Sequence, residues 1–317
     1  MKIKKLIGWA VLCLYALTAS AQSNQLTVAD PYILEENGTF YLYGTQSPNG
    51  IVVYKSTNLK EWEGPCGATE GLALHKKDSW GNSRFWAPEV YRTHGKFAMA
   101  YSVDEHIAIA FSDSPIGPFK QESKEPYMEE KGIDNHLFID DDGTPYIYWV
   151  RFQHGNVIWM AELTKDLKTI KPETMTLCLR SERRTWEWTS SQPSACVSEG
   201  PFVIKHKGKY YLTYSCNHFQ SPDYAVGVAV ANSPYGPWKK SDYNPILNNH
   251  AGAKGTGHHA LLTTQKGEKY IIYHSHYSND KVSPRRTYIA PYSFEKKKKK
   301  EYTFKISDSV IIPTLLP

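Results

Sequence analysis

Long hydrophobic runs are almost missing from this 317-residue chain, and the one clear exception lies in its first 21 residues. Nothing beyond it reaches the roughly 20 apolar residues of a membrane helix, which excludes a helical membrane protein. Cysteine is scarce, at five residues with no C-x-x-C pair, so a zinc site of that type is excluded as well. A strong charge of one sign is also lacking: 37 Lys and Arg stand against 32 Asp and Glu, a net +5. That balance does not describe a nucleic-acid binder. Extended amphipathic helical periodicity is absent too, which argues against a helix bundle. In place of these the chain has 22 tyrosines and nine tryptophans. Such rings favour strands and supply the flat surfaces on which sugars stack.

The leader MKIKKLIGWAVLCLYALTASAQ sets Lys2, Lys4 and Lys5 before an apolar run that ends in Ala19-Ser20-Ala21. This is the architecture of a secretory signal peptide over residues 1–21, with a mature chain from Gln22 and a periplasmic or extracellular location expected. The alternative, a membrane anchor, would need roughly 20 apolar residues where about 14 stand. Cys13 follows Leu12, where a lipoprotein signal wants a small residue, so lipidation is not expected. Losing three lysines takes the formal charge from +5 to +2. The run Lys296 to Lys300, between Glu295 and Glu301, reads as a solvated edge strand or turn. Cys66, Cys178, Cys196 and Cys216 remain, and one or two disulfides of unreadable connectivity are open to an exported protein.

A turn followed by an aromatic-rich strand recurs five times: NGTFYLYGT, HGKFAMAYS, DGTPYIYWV, KGKYYLTYS and KGEKYIIYH. Their turn glycines are Gly38, Gly95, Gly143, Gly208 and Gly267, spaced 57, 48, 65 and 59 residues apart. Each sits between runs of strand formers, the signal of a hairpin that needs positive φ. SDSPIGPF at 112–119 is repeated as NSPYGPW at 232–238. Repeats of this length in an all-β chain predict a five-bladed β-propeller with blades of four antiparallel strands, residues 22–317 forming one domain. The alternative is a β-sandwich with chance similarity.

If each hairpin opens a blade, the residue that begins its first strand faces the mouth of the central channel. Counting nine back from the turn glycine reaches Trp86, Asp134, Glu199 and His258, and eight back in the first repeat reaches Asp30. Three carboxylates brought together repel and raise one another's pKa, a costly arrangement for a purely structural channel. It suits an inverting glycosidase, in which one carboxylate activates water and a second, protonated, supports departure of the leaving group.

The segments around these residues resemble glycoside hydrolase family 43: Asp-Pro-Tyr at Asp30, Trp-Ala-Pro-Glu-Val at Trp86, Ile-Asp at Asp134, Ser-Glu-Gly-Pro at Glu199 and Gly-Thr-Gly-His at His258. They fall in the family's order across nearly the whole mature chain. The resemblance implies a five-bladed propeller that inverts at arabinofuranosides and xylosides, with Asp30 as general base, Glu199 as general acid, and Asp134 orienting the acid and raising its pKa. It also implies that His258 contacts a hydrated calcium in the channel, although one imidazole is a poor calcium site on its own. No cofactor is required for the chemistry. Arg285 matches a family arginine near the catalytic carboxylates, with Arg286 the competing assignment, and Trp86 offers a wall to a sugar ring.

Glu89 stands where many relatives carry Asp, and Asn135-His136 where a proline is common; both departures are expected to shape the sugar pocket. Trp186 and Trp188, in the insertion before the fourth blade, either line the mouth or pack in a loop. Asp140, Asp141, Asp142 and Gly143 resemble a calcium loop but lack its further ligands, so a hairpin turn is the better reading. His259 should face away from His258 along a strand. No β-sandwich follows, so the subsites are expected from propeller loops alone. The expected partner is an arabinose- or xylose-containing oligo- or polysaccharide, and the expected activity is an exo-acting α-L-arabinofuranosidase. A β-xylosidase, another exo-glycosidase such as a galactosidase, an endo-arabinanase or endo-xylanase, and a non-catalytic carbohydrate-binding propeller are the alternatives. A retaining fructan hydrolase is disfavoured, because its Arg-Asp-Pro and Glu-Cys segments are not found.

Overall fold

Each repeat folds around its turn. Asn37-Gly38, His94-Gly95 and Lys207-Gly208 have φ values of 51° and 75°, 46° and 77°, and 50° and 73°. Two successive left-handed residues make the turn whose twist matches that of the strands it joins. The turns at Gly143 and Gly267 are one residue longer, closed by Asp140 N–H to Thr144 O (3.0 Å) and Thr264 N–H to Glu268 O (2.8 Å). Asp140 to Gly143 are therefore hairpin residues, and Lys205 bridges Asp140 and Asp141 at 2.7 and 2.8 Å.

The structure is a computed structural model that describes residues 24–189, 196–298 and 301–317. The signal-peptide reading of residues 1–21 lies outside the described residues, as do Lys299 and Lys300 and part of the insertion before the fourth blade. The five hairpins pair Ala29–Glu36 with Thr39–Ser47, Trp86–Thr93 with Lys96–Val103, Gly132–Ile139 with Pro145–Phe152, Ser198–His206 with Lys209–Cys216, and Gly257–Thr263 with Lys269–Ser275. All are antiparallel, and each extends outward through a third strand. The first strands of the five hairpins touch one another in cyclic order, blade 5 returning to blade 1. The molecule is a five-bladed β-propeller. Among the described residues, blade 2 has three strands and a single bridge, Phe111 with Lys120, in place of a fourth.

Aromatic and aliphatic side chains from successive blades fill the spaces between sheets. Tyr43, Tyr101, Tyr148, Tyr211, Tyr214 and Tyr273 are all buried on second strands. Two of them account for the repeated Ser-Pro-x-Gly-Pro turn. Tyr43 Oη donates to Pro115 O (2.5 Å) and Tyr148 Oη to Pro234 O (2.7 Å), so each turn docks on the blade before it.

Both ends of the described chain meet between blades 5 and 1. Leu26 N–H donates to Pro313 O (2.8 Å), Thr287 N–H to Leu26 O (3.1 Å), and Thr314–Leu315 lies parallel to Glu61–Trp62. Two expectations are settled by side-chain placement. Cys66, Cys178, Cys196 and Cys216 are all free thiols, which removes the possible disulfides among them. Lys296 to Lys298 form the exposed end of the strand Arg286–Lys298. No helix among the described residues is long and apolar enough to cross a membrane.

Candidate active site

Every inner strand breaks register near its start. At each break one residue takes a left-handed φ: Asp30 at 49°, Ala87 at 45°, Asp134 at 57°, Gly200 at 54° and His258 at 44°. Four of these are not glycine, and non-glycine residues in that region carry strain that gathers at functional sites. The bulge turns the strand so that side chains at and beside it face the channel mouth.

This corrects the expectation of one equivalent position per blade. Asp30, Asp134 and His258 are the bulge residues themselves, whereas Trp86 and Glu199 stand one place before Ala87 and Gly200. The longer turns of blades 3 and 5 produced the offset. All six expected site residues nevertheless line one cavity of about 360 Å³: Asp30, Trp86, Asp134, Glu199, His258 and Arg285. Glu105 and Phe152 complete the wall from blades 2 and 3, and His218 and Phe219 from blade 4. Larger surface hollows occur between blades, but none holds this chemistry.

Asp30 is buried and held at both oxygens. Arg285 donates to Oδ1 at 2.9 Å and Thr45 to Oδ2 at 2.6 Å. His258 Nδ1 lies 3.5 Å from the same Oδ1. Burial alone would raise this carboxyl's pKa, but the Arg285 guanidinium, and His258 after it, hold it well below the ordinary value. Asp134 goes the other way. Burial raises its pKa, and the nearby Glu199 and Asp30 charges add to that, against an opposing pull from His258. Asp134 is thereby pushed up to about 7 and keeps its proton above the usual carboxylate range. His258 is raised because three carboxylates outweigh the effect of its burial.

Glu199 is clamped from two sides. Tyr224 Oη donates to Oε1 at 2.8 Å and Asn156 Nδ2 to Oε2 at 2.9 Å. Tyr224 can approach because residue 257 is glycine: a Cβ there would fall 2.4 Å from the Tyr224 ring. Gly200 N–H donates to Asp134 Oδ2 at 3.2 Å, which ties the residue after Glu199 to the third carboxylate.

Other expectations fall outside the cavity. Glu89 and His136 bond to each other (Oε2 to Nδ1, 2.7 Å), and His136 Nε2 accepts from Val203 N–H, so both departures form one buried network instead of shaping the pocket. Asn135 is also buried away from the cavity, donating to Ala108 O. Trp186 packs over Gly227 and Tyr214, and Trp188 lies under Arg183, so neither lines the mouth. Arg286 sits over Tyr277, which leaves Arg285 as the pocket arginine. His259 faces away, its Nε2 2.6 Å from Thr213 Oγ1. A calcium needs six to eight oxygens. Among the described residues no group of three or more His, Cys, Asp or Glu is arranged to hold a metal, so water would have to supply most of the oxygens around a calcium beside His258.

Residues 24–298 match glycosyl hydrolases family 43 over most of the chain. The chain belongs to that family. Family 43 enzymes are inverting glycosidases whose members act on xylan- and arabinan-type polysaccharides. A β-D-galactofuranosidase of Aspergillus niger is 28% identical over 226 residues, 65% of this chain and 61% of that protein, so the chain spans less than two thirds of that relative's length. A xylosidase/arabinosidase of Humicola insolens is 26% identical over 296 residues, covering 78% and 87%. The crystal structure of an endo-1,4-β-xylanase from Bacteroides thetaiotaomicron superposes with a TM-score of 0.86 at 42% identity, covering 93% of this chain and 99% of that one.

Sequence reasoning missed the family 43 site's supporting residues, Thr45, Asn156, Tyr224 and His274 among them. A signal for two of them was present. Thr45 and His274 are the last letters of the first and fifth repeats, a position filled by Ser102, Val150 and Ser215 in the others.

Proposed function

We propose that this chain is an exo-acting inverting glycosidase that releases terminal α-L-arabinofuranosyl groups from xylan- or arabinan-type glycans. One observation carries the reading: a single cavity joins a carboxylate held ionised, Asp30, to one whose pKa is raised, Asp134, with Glu199 beside them. Asp30 takes a proton from water as the water oxygen attacks the anomeric carbon. Glu199 gives its proton to the departing glycosidic oxygen, and the anomeric configuration inverts. Asp134 holds the Gly200 amide next to Glu199 and so orients it. Trp86 supplies an apolar face, and Arg285 holds Asp30 while reaching toward sugar hydroxyls. None of these steps is routed through a metal.

Residues from all five blades line the cavity, and comparing release from chain ends with internal cleavage of arabinan decides between exo and endo action. The signal-like leader would place the enzyme with such glycans outside the cytoplasm. A second reading, action on β-1,4-xylosidic bonds, is favoured by the 42% identity to a structure named as a xylanase. Turnover of 4-nitrophenyl α-L-arabinofuranoside, β-D-xyloside and β-D-galactoside, followed by arabinan, xylan and arabinogalactan, separates the two.

Glu199→Gln and Asp30→Asn should each lower kcat by about 10²–10⁴ while the melting temperature holds. Normal turnover in both variants would sink the reading and leave a carbohydrate-binding propeller. Proton NMR of the first product should find the inverted anomer.

A further inference from the structure

The five bulges share a second feature. A bulge takes one backbone N–H out of the strand ladder, and a buried N–H needs another acceptor. In four blades that acceptor is a side chain on the second strand of the preceding blade, at the last position of the repeat. Ala87 N–H donates to Thr45 Oγ1 (3.0 Å), Asp134 N–H to Ser102 Oγ (2.8 Å), His258 N–H to Ser215 Oγ (2.9 Å) and Asp30 N–H to His274 Nδ1 (3.1 Å). Val150 holds the position in blade 3 and offers no acceptor, so Gly200 N–H turns to Asp134 instead. Hydroxyls serve three bulges, and the bulge of Asp30 alone is served by an imidazole.

A hydroxyl would satisfy the amide equally well, so the ring has further contacts to account for. His274 is fully buried. Its Nδ1 also lies 3.3 Å from Asp30 Oδ1, and its Nε2 edge 3.4 Å from Arg285 Nη1, the same nitrogen that donates to Asp30. One face stacks on Tyr224, centroids 5.7 Å apart and planes 20° from parallel, and Tyr224 donates to Glu199. The ring of His258 lies 6.0 Å away, inclined by 22°. His274 thus touches the backbone of one proton-transferring carboxylate and the side-chain partners of both.

We propose that His274 is a positioning residue that sets Asp30 through its amide and registers Asp30, Arg285 and Tyr224 against one another. The proposal rests on the assignment of Asp30 and Glu199 as the proton-transferring pair. Burial and the adjacent guanidinium lower the pKa of this imidazole to about 3, so it stays neutral where the enzyme works and can keep Nδ1 bare for the amide. Its proton then sits on Nε2, so the Arg285 guanidinium packs against that edge of the ring without a hydrogen bond.

The test compares wild type with His274→Leu, which keeps volume without an acceptor, and His274→Asn, which sets Oδ1 near the place of Nδ1. His274→Ala is a second acceptor-free variant should the leucine variant not fold. On 4-nitrophenyl α-L-arabinofuranoside or β-D-xyloside, the acceptor-free variant should lose about 10- to 100-fold in kcat with KM little changed, the size expected of a small misplacement. The asparagine variant should recover most of that loss. Hydrogen exchange at the Asp30 amide reads the same contact without turnover: slow in wild type and His274→Asn, fast in the acceptor-free variant. Retained kcat in the acceptor-free variant, equal losses in both variants, or an amide that stays protected in both would overturn the proposal. If wild type cleaves none of the aryl glycosides the glycosidase reading fails, and amide exchange still decides whether His274 sets Asp30.

Discussion

Arg285 shows how one side chain can set a working pH range. It donates to Asp30 at 2.9 Å and is the largest of the influences that pull this buried carboxyl down. A general base works only when ionised, so activity is present above the Asp30 pKa and is lost as pH falls through it. Arg285→Ala removes the guanidinium, leaves burial to dominate, and raises that pKa. The acid limb of the kcat/KM profile should therefore move to higher pH, whatever happens to KM. An unmoved acid limb would mean that Asp30 is not the group titrating there. Asp134, pushed up to about 7 chiefly by burial, loses its proton on the basic side, and that limb should stay in place. Asp30, Asp134 and Glu199 were legible in the sequence because a carboxylate beside a strand's first residue stands out. Tyr224 and Asn156 were not, since tyrosine and asparagine are common in strands and loops and nothing local marks them as partners of Glu199.

At the scale of the element, turn glycines made the hairpins legible and turn length misled the alignment. The sequence does not distinguish Asn37-Gly38, a two-residue turn, from the turn at Gly143, where Asp140 pairs with Thr144 and three residues intervene. The shift is one residue, enough to confuse Glu199 with Gly200, because neighbouring strand residues face opposite sides. The last letters of the repeats carried the remaining information: Thr45, Ser102, Ser215 and His274 accept a bulge amide from the next blade, and Val150 does not. Val150→Thr would complete the set with an isosteric hydroxyl. If that hydroxyl takes the Gly200 amide, Asp134 loses a hydrogen bond that now lowers its pKa. Asp134 then keeps its proton further up the scale, and the basic limb of kcat/KM should shift to higher pH. Stability should stay within about 1 kcal/mol of the parent, because the new hydroxyl is satisfied. A loss above about 2 kcal/mol with an unchanged profile would mean that the buried hydroxyl found no partner.

At the scale of the molecule, the ring has to be closed, and it is closed beside Asp30, the proposed general base. The segment that leads into Asp30 lies between blade 5 and the C-terminal residues. Val28 exchanges hydrogen bonds with Thr287 Oγ1 at 3.2 and 2.8 Å, and Leu26 bonds to Pro313 and Thr287. Ile311 exchanges backbone bonds with Ile289 at 2.8 and 3.1 Å, and Leu316 N–H reaches Trp62 O at 2.8 Å. Leu26, Val28, Trp62, Ile272 and Ile289 form one buried cluster against which Ile311 and Leu315 pack. Removing residues 309–317 would take away the bonds made by Ile311, Pro313 and Leu316 and uncover that cluster, leaving strand edges between blades 1 and 5 unpaired. With each buried hydrogen bond worth about 1 kcal/mol net, the loss should be on the order of 3 kcal/mol or more. Scanning calorimetry should record it as a melting temperature lower by at least about 6 °C, at roughly 2–4 °C per kcal/mol for a chain of this size. Turnover per folded molecule should fall as well, measured well below the new transition, because Asp30 begins the strand that this closure holds. Glu199→Gln provides the contrast, inactive but with its melting temperature kept. A truncated chain that melts with the parent and keeps its kcat would show that contacts between inner strands hold blades 1 and 5 together without the terminal segments.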